Sequence, residues 1–262
     1  MINFMQLVWN ELLKILLRIS NWVMLILLAL LSPALLILLK LGDYPAAAPM
    51  ALDQSFSMFF LVVLFALIVA SESVAIEFTT GTIKLLLIRP WQRWKILSSK
   101  FVALVVFLLG LTLLFTLINL AVAYMLFPAT VTVLPDWAAA APDSNLFLLV
   151  VYSFIRALVL ATFAFMLSAL FRSPALAITL SMLLYFSGTL SNGLLHAFLR
   201  PQDYWIVKYL LFTNLDLTQY FSNPSGSFGI TSLGWSLLML TVYVVVFALI
   251  AWVSFSKRDV RA

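Results

Sequence analysis

Long apolar segments alternate with short polar segments along this chain. Six apolar segments are long enough to cross a hydrocarbon core of about 30 Å at 1.5 Å per residue. They cover residues 22–41, 55–76, 99–127, 145–170, 175–199 and 233–255. Pro33 should kink the first segment, and the Ser32 hydroxyl can satisfy a carbonyl that the proline leaves free. The pattern predicts an all-α integral membrane protein with six transmembrane helices.

Residues 1–20 precede the first span and have a different pattern. Polar side chains recur every three or four positions, at Asn3, Gln6, Asn10, Lys14, Arg18 and Asn21. Such a stripe is typical of an amphipathic helix that lies in the membrane interface with its cations toward the lipid head groups. The alternative is that these residues are the frayed start of the first span.

The densest run of charge lies between the second and third spans, and its loop covers residues 77–98. It carries Glu77 and a series of cations, Lys84, Arg89, Arg93 and Lys95. Within it, Gly81 and Thr82 open a short predicted helix, with Leu85 and Leu86 in its apolar body. Thr79 or Thr80 can cap this helix, and Pro90 ends it. Because so short a helix is marginal alone in water, it should lie against its own spans or a partner protein.

Composition and charge place this chain in a membrane. Hydrophobic residues make up 65% of it and charged residues 10%, whereas soluble domains carry about 25% charged residues. Most Lys and Arg residues fall on the side of the basic loop, where both termini of a six-span protein would also lie. The positive-inside rule therefore predicts that both termini are cytoplasmic. The net charge of +5 is a topology signal and does not indicate a nucleic-acid partner.

The whole chain, residues 1–262, reads as a single transmembrane domain. Residues 200–232, between the fifth and sixth spans, form the longest non-spanning stretch and are predicted to be extracytoplasmic.

Three ionisable residues stand out near or inside the spans. Arg156 is costly within a membrane and usually faces protein or water, so it is either a transport-path or gating residue or a structural arginine that snorkels or pairs with a carboxylate. Glu72 can pair with a cation of the basic loop or serve in a proton relay. His196 is either an interfacial polar residue or a pH sensor.

No catalytic constellation is present in the sequence. The chain has no cysteine and a single histidine, and no glycine-rich segment carries the lysine and hydroxyl residue of a Walker phosphate loop. We therefore expect no metal, no cofactor and no intrinsic ATPase in this chain. Energy for work on a substrate must come from an ion gradient or from another polypeptide.

The basic loop resembles the cytoplasmic loop of ABC-2 type transporter permeases. In that family an acidic residue precedes a Gly-Thr turn and a leucine-rich helix, and a Pro-x-x-Arg segment and a lysine then open the third span. The matching residues here are Glu77, Gly81, Thr82, Leu85 to Leu87, Pro90, Arg93 and Lys100. The resemblance extends over essentially the whole chain and is closest to the small bacterial permeases of drug, bacitracin or lantibiotic self-protection systems.

The resemblance implies a half-transporter in the bacterial cytoplasmic membrane. Such a permease pairs with a second copy or a sister permease, and each permease engages a separate ATPase subunit that binds ATP and Mg²⁺. Residues 82–89 would be the coupling helix, residues 1–20 the interfacial elbow, and residues 200–232 short outer helices. The ATPase-coupling residues would be Glu77, Gly81, Thr82, Lys84, Leu85, Leu86, Arg89, Pro90 and Arg93. The substrate would be a hydrophobic or amphipathic molecule, exported between the two permeases along the second and fifth spans.

Two other function classes compete with this interpretation. A self-contained channel or gradient-driven transporter would need ion sites, and the spans contain few ionisable residues to supply them. An intramembrane enzyme would need a catalytic set, which the sequence lacks. Co-purification with an ATPase would separate the permease interpretation from both.

Overall fold

A computed structural model describes residues 4–43, 45–80, 92–129, 145–171, 173–198, 204–226 and 228–257. Every regular element in these ranges is helical. The α-helices are α1 (Phe4–Leu16), α2 (Ile19–Leu31), α3 (Ala34–Leu41), α4 (Ala48–Ser55), α5 (Phe60–Thr79), α6 (Arg93–Leu126), α7 (Leu146–Leu170), α8 (Pro174–Phe198), α9 (Tyr204–Val207), α10 (Leu211–Leu215), α11 (Gln219–Ser222) and α12 (Leu233–Lys257). A 3₁₀ turn, Phe56–Phe59, joins α4 to α5.

Five helical segments in the described ranges are long and apolar enough to cross a membrane. They are Ile19–Leu41, Ala48–Thr79, Arg93–Leu126, Leu146–Leu170 and Leu233–Ser256. These segments confirm the all-helical membrane class, and they contain the first, second, third, fourth and sixth predicted spans to within one residue. The fifth predicted span falls in α8, whose apolar part, Pro174–Gly188, is shorter. The count of six spans therefore stays a prediction.

Helix α1 ends at Leu16 and does not continue to residue 20. The chain turns at Leu17 and Arg18, and α2 starts at Ile19. The side-chain amide of Asn21 donates a hydrogen bond to the carbonyl of Ile15 at the end of α1. Asn21 is 2% exposed, so it closes this turn and does not extend the polar stripe toward head groups.

The first span is interrupted at Pro33, as predicted. Helix α2 ends at Leu31 and α3 begins at Ala34, where the carbonyl of Pro33 accepts a hydrogen bond from the backbone N–H of Ile37 at 3.1 Å. The predicted role of Ser32 is wrong, because its buried hydroxyl has no hydrogen-bond partner among the described residues.

Helices α5 and α7 form the centre of the bundle and approach each other closely through small side chains. Ala70 on α5 and Ala164 on α7 are fully buried. The hydroxyl oxygen of Ser168 on α7 accepts hydrogen bonds from the backbone N–H groups of Val74 at 3.0 Å and Ala75 at 2.9 Å. Small residues allow this approach in an apolar environment, where packing replaces the hydrophobic effect.

The bundle has two ends, which we name by the elements found there. The basal end carries α1, the last turn of α5 and the first turns of α6. The distal end carries the starts of α5 and α7 together with α9, α10 and α11. The two ends of α5, Phe60 and Thr79, are separated by about 28 Å at 1.5 Å per residue, which is close to the thickness of a hydrocarbon core.

A hydrogen-bonded cap closes the distal end. The hydroxyl of Tyr220 lies 2.7 Å from that of Ser236 and donates to that of Thr231 at 2.9 Å, and Ser236 donates to the side-chain oxygen of Asn214 at 2.7 Å. Gly226 has φ +71° and lies against the Thr231 side chain, so a Cβ atom would not fit there. These contacts hold α10 and α11 on α12.

Candidate functional site

Four charged side chains form a buried cluster at the basal end, which we call the ion cluster: Glu11, Lys14, Glu77 and Lys100. The ammonium nitrogen of Lys100 lies 2.7 Å from Oε2 of Glu11 and 2.6 Å from Oε1 of Glu77. Lys14 Nζ lies 2.6 Å from Oε1 of Glu11 and 3.5 Å from Oε1 of Glu77. The cluster joins α1 to the end of α5 and the start of α6, the two helices that border the basic loop.

Because the cluster is buried, its charged groups depend on one another as ion-pair partners. The Lys100 side chain is 3% exposed, and those of Glu11 and Glu77 are 8% and 9% exposed. Burial opposes ionisation of Glu11, but the charges and hydrogen bonds of Lys100 and Lys14 outweigh it and hold the pKa of Glu11 below 4.5. Burial also opposes protonation of Lys14, but Glu11 and Glu77 outweigh it and raise its pKa above 10.5. Glu11 and Lys14 are therefore both charged at neutral pH.

A second ion pair lies beside the cluster. The guanidinium of Arg18, in the turn after α1, binds the carboxylate of Glu72 on α5. Glu72 was predicted to pair with a cation of the basic loop or to serve in a proton relay. Its partner among the described residues is instead a cation of the N-terminal region.

The predicted coupling residues are only partly within the described ranges. Gly81, Thr82, Lys84, Leu85, Leu86, Arg89 and Pro90 lie outside them. Thr79 and Thr80 each donate a side-chain hydrogen bond to the carbonyl of Ile76, and both lie at the end of α5. Arg93 opens α6 and donates to the backbone carbonyl of Ser256 on α12 at 3.2 Å. Glu77 keeps one buried oxygen, Oε2, without a partner among the described residues.

Sequence reasoning missed Glu11, which binds both cluster lysines. It lies one position away from the predicted polar stripe and three positions before Lys14. A carboxylate on the apolar side of an interfacial helix needs a buried cation, and that requirement was the available signal. Its partner, Lys100, is 89 positions away in the chain, so the sequence alone does not identify it.

A cavity of about 510 Å³ opens at the distal end. Its wall is formed by the start of the long helix Ala48–Thr79, by α7 and α8, and by the segment around α11. Arg156 of α7 faces it together with Tyr152, Ser153 and Tyr185, and Asp53 and Asp216 supply two carboxylates. The ion pairs of the described residues all lie at the basal end, and the Arg156 Nε atom is buried without a hydrogen-bond partner among those residues. The sequence marked Arg156 but gave no sign that these aspartates share its cavity.

The remaining candidates are His196 and possible metal ligands. His196 belongs to α8, but its side chain lies outside the described part of the structure. In the described ranges, no three His, Asp or Glu side chains are grouped so that they could hold a metal ion.

Comparison with known proteins identifies the family. A family model described as protein of unknown function DUF2705 matches residues 40–261. The chain belongs to the DUF2705 family. This DUF2705 match begins near the end of the first span and contains both the cavity residues and two members of the ion cluster, Glu77 and Lys100.

Two curated relatives of this DUF2705 protein come from Bacillus subtilis (strain 168). The uncharacterized protein YhcI is 36% identical over 206 residues, which are 75% of this chain and 64% of YhcI. The uncharacterized membrane protein YdbK is 31% identical over 196 residues, which are 74% of this chain and 76% of YdbK. The chain thus spans somewhat less than two thirds of YhcI. The membrane-length helices and the similarity to YdbK agree that this is a multi-pass membrane protein.

Proposed function

We propose that this chain is the transmembrane permease subunit of an ATP-driven ABC-2 type exporter. The observation that carries the proposal is the ion cluster, in which Lys100 on α6 binds both Glu11 on α1 and Glu77 on α5. An exporter needs a rigid connection between the loop that an ATPase contacts and the helices that line the path. The cluster supplies such a connection at both ends of the basic loop.

Motion of the loop would reach the membrane through these pairs. A displacement of the loop helix pulls on the end of α5 and the start of α6, and Lys100 carries the displacement to α1. Helix α6 has 34 residues and is about 51 Å long at 1.5 Å per residue, so it extends beyond a core of about 30 Å. Its basal end can therefore act as a lever outside the bilayer.

We infer that α8 also crosses the membrane and is the fifth of six crossings. Ser181, in its first half, lies 3.2 Å from Ser71 on α5, side-chain oxygen to side-chain oxygen, and Tyr185 reaches the distal cavity. The helix therefore runs from the basal end toward the distal end. With six crossings both termini would lie at the basal end, and the excess of Lys and Arg there supports a cytoplasmic location of that end in a bacterium.

The partners follow from the same interpretation. Residues 82–89, which lie outside the described ranges, would be the coupling helix, with Leu85 and Leu86 in a groove of the ATPase and with Lys84 and Arg89 at the rim. The ATPase binds ATP and Mg²⁺, and a second permease completes the path for a hydrophobic or amphipathic drug, peptide antibiotic or lipid-like substrate. The surrounding lipid bilayer is the remaining partner, and nucleic acid is not one.

The proposal is tested by affinity purification of the chain from its native membranes, followed by co-expression with any ATPase that is recovered. We expect the two proteins to purify together from membranes, and we expect reconstituted vesicles to move a fluorescent amphiphile only when ATP and Mg²⁺ are supplied. An ATPase carrying a Walker-lysine substitution is the control, because it should bind the permease without supporting transport. Transport that persists without any ATPase contradicts the proposal.

The alternative function is a self-contained channel or gradient-driven transporter. In the described spans Glu72, Glu77 and Lys100 are engaged in ion pairs, which leaves few ionisable groups there to serve as ion sites. Transport driven by an imposed ion gradient in vesicles that contain this chain alone would favour that alternative.

A further inference from the structure

We propose that the distal cavity binds the head group of a zwitterionic amphiphile, with its anionic group on Arg156 and its cationic group at Asp53 and Asp216. The cavity volume of about 510 Å³ lies within the range of small-molecule sites, which is about 300 to 1,000 Å³. The binding site is a property of this chain alone. The identification of the bound amphiphile as the transported molecule rests on the proposed permease function.

The charges in the cavity favour a ligand that carries both an anionic and a cationic group. Arg156 is half-buried, and its Nε atom has no partner among the described residues. Charged groups inside a membrane protein are normally paired with each other or with a ligand, because desolvation without pairing is costly. Asp53 and Asp216 line the same cavity, yet neither forms an ion pair with Arg156 within the described residues. A molecule that carries an anion and a cation satisfies both kinds of group at once.

The carboxylates also discriminate among anions. The three charged groups give the cavity wall a net charge of −1, so a multiply charged anion on Arg156 would be repelled by the two aspartates. Asp216 accepts hydrogen bonds through one oxygen, Oδ1, from the backbone N–H and the hydroxyl of Thr218. Its second oxygen remains for a ligand ammonium group. A phosphate or carboxylate beside an ammonium group fits this arrangement.

The rest of the wall suits the apolar part of an amphiphile. Phe56, Phe59 and Tyr185 are buried and supply aromatic surface. At the mouth, the exposed Phe60 lies near the exposed hydroxyl residues Ser57 and Ser222. The opening therefore combines apolar and polar surface, as expected for a molecule with a head in the cavity and a tail beside the bundle.

The test uses the purified full chain in dodecyl maltoside and a series of short-chain lipids that share the same two tails. The probes are dihexanoylphosphatidylethanolamine as the zwitterion, dihexanoylphosphatidylglycerol as the monoanion and dihexanoylglycerol as the neutral molecule. Glycerophosphoethanolamine supplies the same zwitterionic head without tails. Calorimetric titration measures affinity, and we expect the zwitterion with tails to bind at least tenfold more tightly than each of the other three.

Variants of the charged side chains test which residue binds which charged group of the ligand. Arg156→Gln should weaken zwitterion binding at least tenfold, while Arg156→Lys should retain part of it. Asp216→Asn keeps an acceptor oxygen for Thr218, and it should weaken zwitterion binding and strengthen binding of the monoanion. The matched control is Lys40→Gln, which removes one positive charge from an exposed side chain that does not line the cavity, and it should leave all affinities unchanged.

Several results would overturn the proposal. Equal binding by wild type and Arg156→Gln removes the anion subsite, and preference for the monoanion over the zwitterion removes the cation subsite. Equal binding of glycerophosphoethanolamine and its tailed counterpart identifies a water-borne ligand instead of an amphiphile. The thermal midpoint of each variant is recorded without ligand. If Arg156→Gln does not fold, the partial binding expected of Arg156→Lys and the shift of Asp216→Asn toward the monoanion test the two subsites instead. Because no ATPase is present, failure here leaves the permease proposal untouched.

Discussion

The ammonium group of Lys100 lies 2.7 Å from the carboxylate of Glu11, although 89 positions separate the two residues in the chain. This ion pair connects the N-terminal helix α1 to α6, which is long and apolar enough to cross a membrane. Lys100 is almost completely buried, and it binds Glu77 as well. The pair therefore belongs to the folded core and not to a solvated surface.

The buried position of Lys100 predicts a large loss of stability when its charge is removed. Lys100→Met leaves Glu11 and Glu77 buried with a single remaining cation, and we expect a loss of about 3–5 kcal/mol in the free energy of unfolding. Lys14→Met is the matched control, because the Lys14 side chain is 54% exposed and its removal should cost no more than about 1 kcal/mol. Equilibrium unfolding in detergent measures both. Equal losses would show that Lys100 is not the central cation.

The pKa of Glu11 predicts sensitivity to acid. Because this pKa lies below 4.5 in the folded chain, the unfolded chain takes up the proton first as pH falls. The stabilisation is fully present above pH 4.5 and is lost as pH falls through the lowered pKa. We expect the thermal midpoint to drop over this window and to drop less in Glu11→Gln. An identical acid profile in the variant would show that other groups control acid stability.

The raised pKa of Lys14 predicts a loss of stability at high pH. Its pKa is raised above 10.5, so its contribution is fully present below that value and is lost only as pH rises through the raised pKa. The contributions of Glu11 and Lys14 to stability should therefore not change between about pH 5 and pH 10. Thermal midpoints across this range in wild type and Lys14→Met measure the effect, and a transition near neutral pH that disappears in Lys14→Met would contradict it.

Charge reversal at Arg18 and Glu72 distinguishes two roles of Arg18, which are pairing with Glu72 and binding of lipid head groups. If Arg18 acts mainly on Glu72, the reversal Arg18→Glu should destabilise the chain by about 1 kcal/mol, and the double reversal with Glu72→Arg should restore stability. If Arg18 acts mainly on lipid head groups, the double reversal should remain impaired. Membrane yield and thermal midpoint of the four proteins complete the cycle.

The charge asymmetry predicts on which side of the membrane each loop lies. The chain has no cysteine, so single cysteines at Gln92, Asp136 and Ser225 give an unambiguous labelling pattern. An impermeant thiol reagent added to intact cells should label the variants at 136 and 225 and spare the variant at 92. Labelling after cell lysis controls for reactivity, and protection of 225 with labelling of 92 would reverse the orientation.

The proposed coupling role of residues 82–89 is tested by a substitution at Leu86. Leu86→Asp would place a charge in the ATPase groove, which is costly if it is unpaired, so we expect loss of ATPase co-purification with unchanged membrane abundance. Lys84→Ala should have a smaller effect, because a rim charge is largely solvated. Full ATPase binding by Leu86→Asp would make residues 82–89 a membrane-surface element.

Local patterns determined much of the fold. Span length and composition are local properties, and each needs only about 20 residues of sequence. The predicted spans therefore agree with the membrane-length helices except in α8, where the apolar part is short. The break at Pro33 was also predictable, because proline lacks the N–H that the helix ladder needs. Helix ends were less predictable, since α1 ends where Asn21 reaches back to Ile15 through a side-chain contact.

The pairing of charges was decided only by tertiary structure. Glu11, Glu77 and Lys100 lie on three helices, and the sequence does not specify how those helices rotate and slide against one another. That arrangement follows from close packing of small residues, such as Ala70 against α7, and from the Ser168 contacts with the α5 backbone. The same packing brings Asp53 and Asp216 to the cavity of Arg156. Burial then converts ordinary ion pairs into groups that depend on one another, because lipid and protein cannot solvate a lone charge as water does.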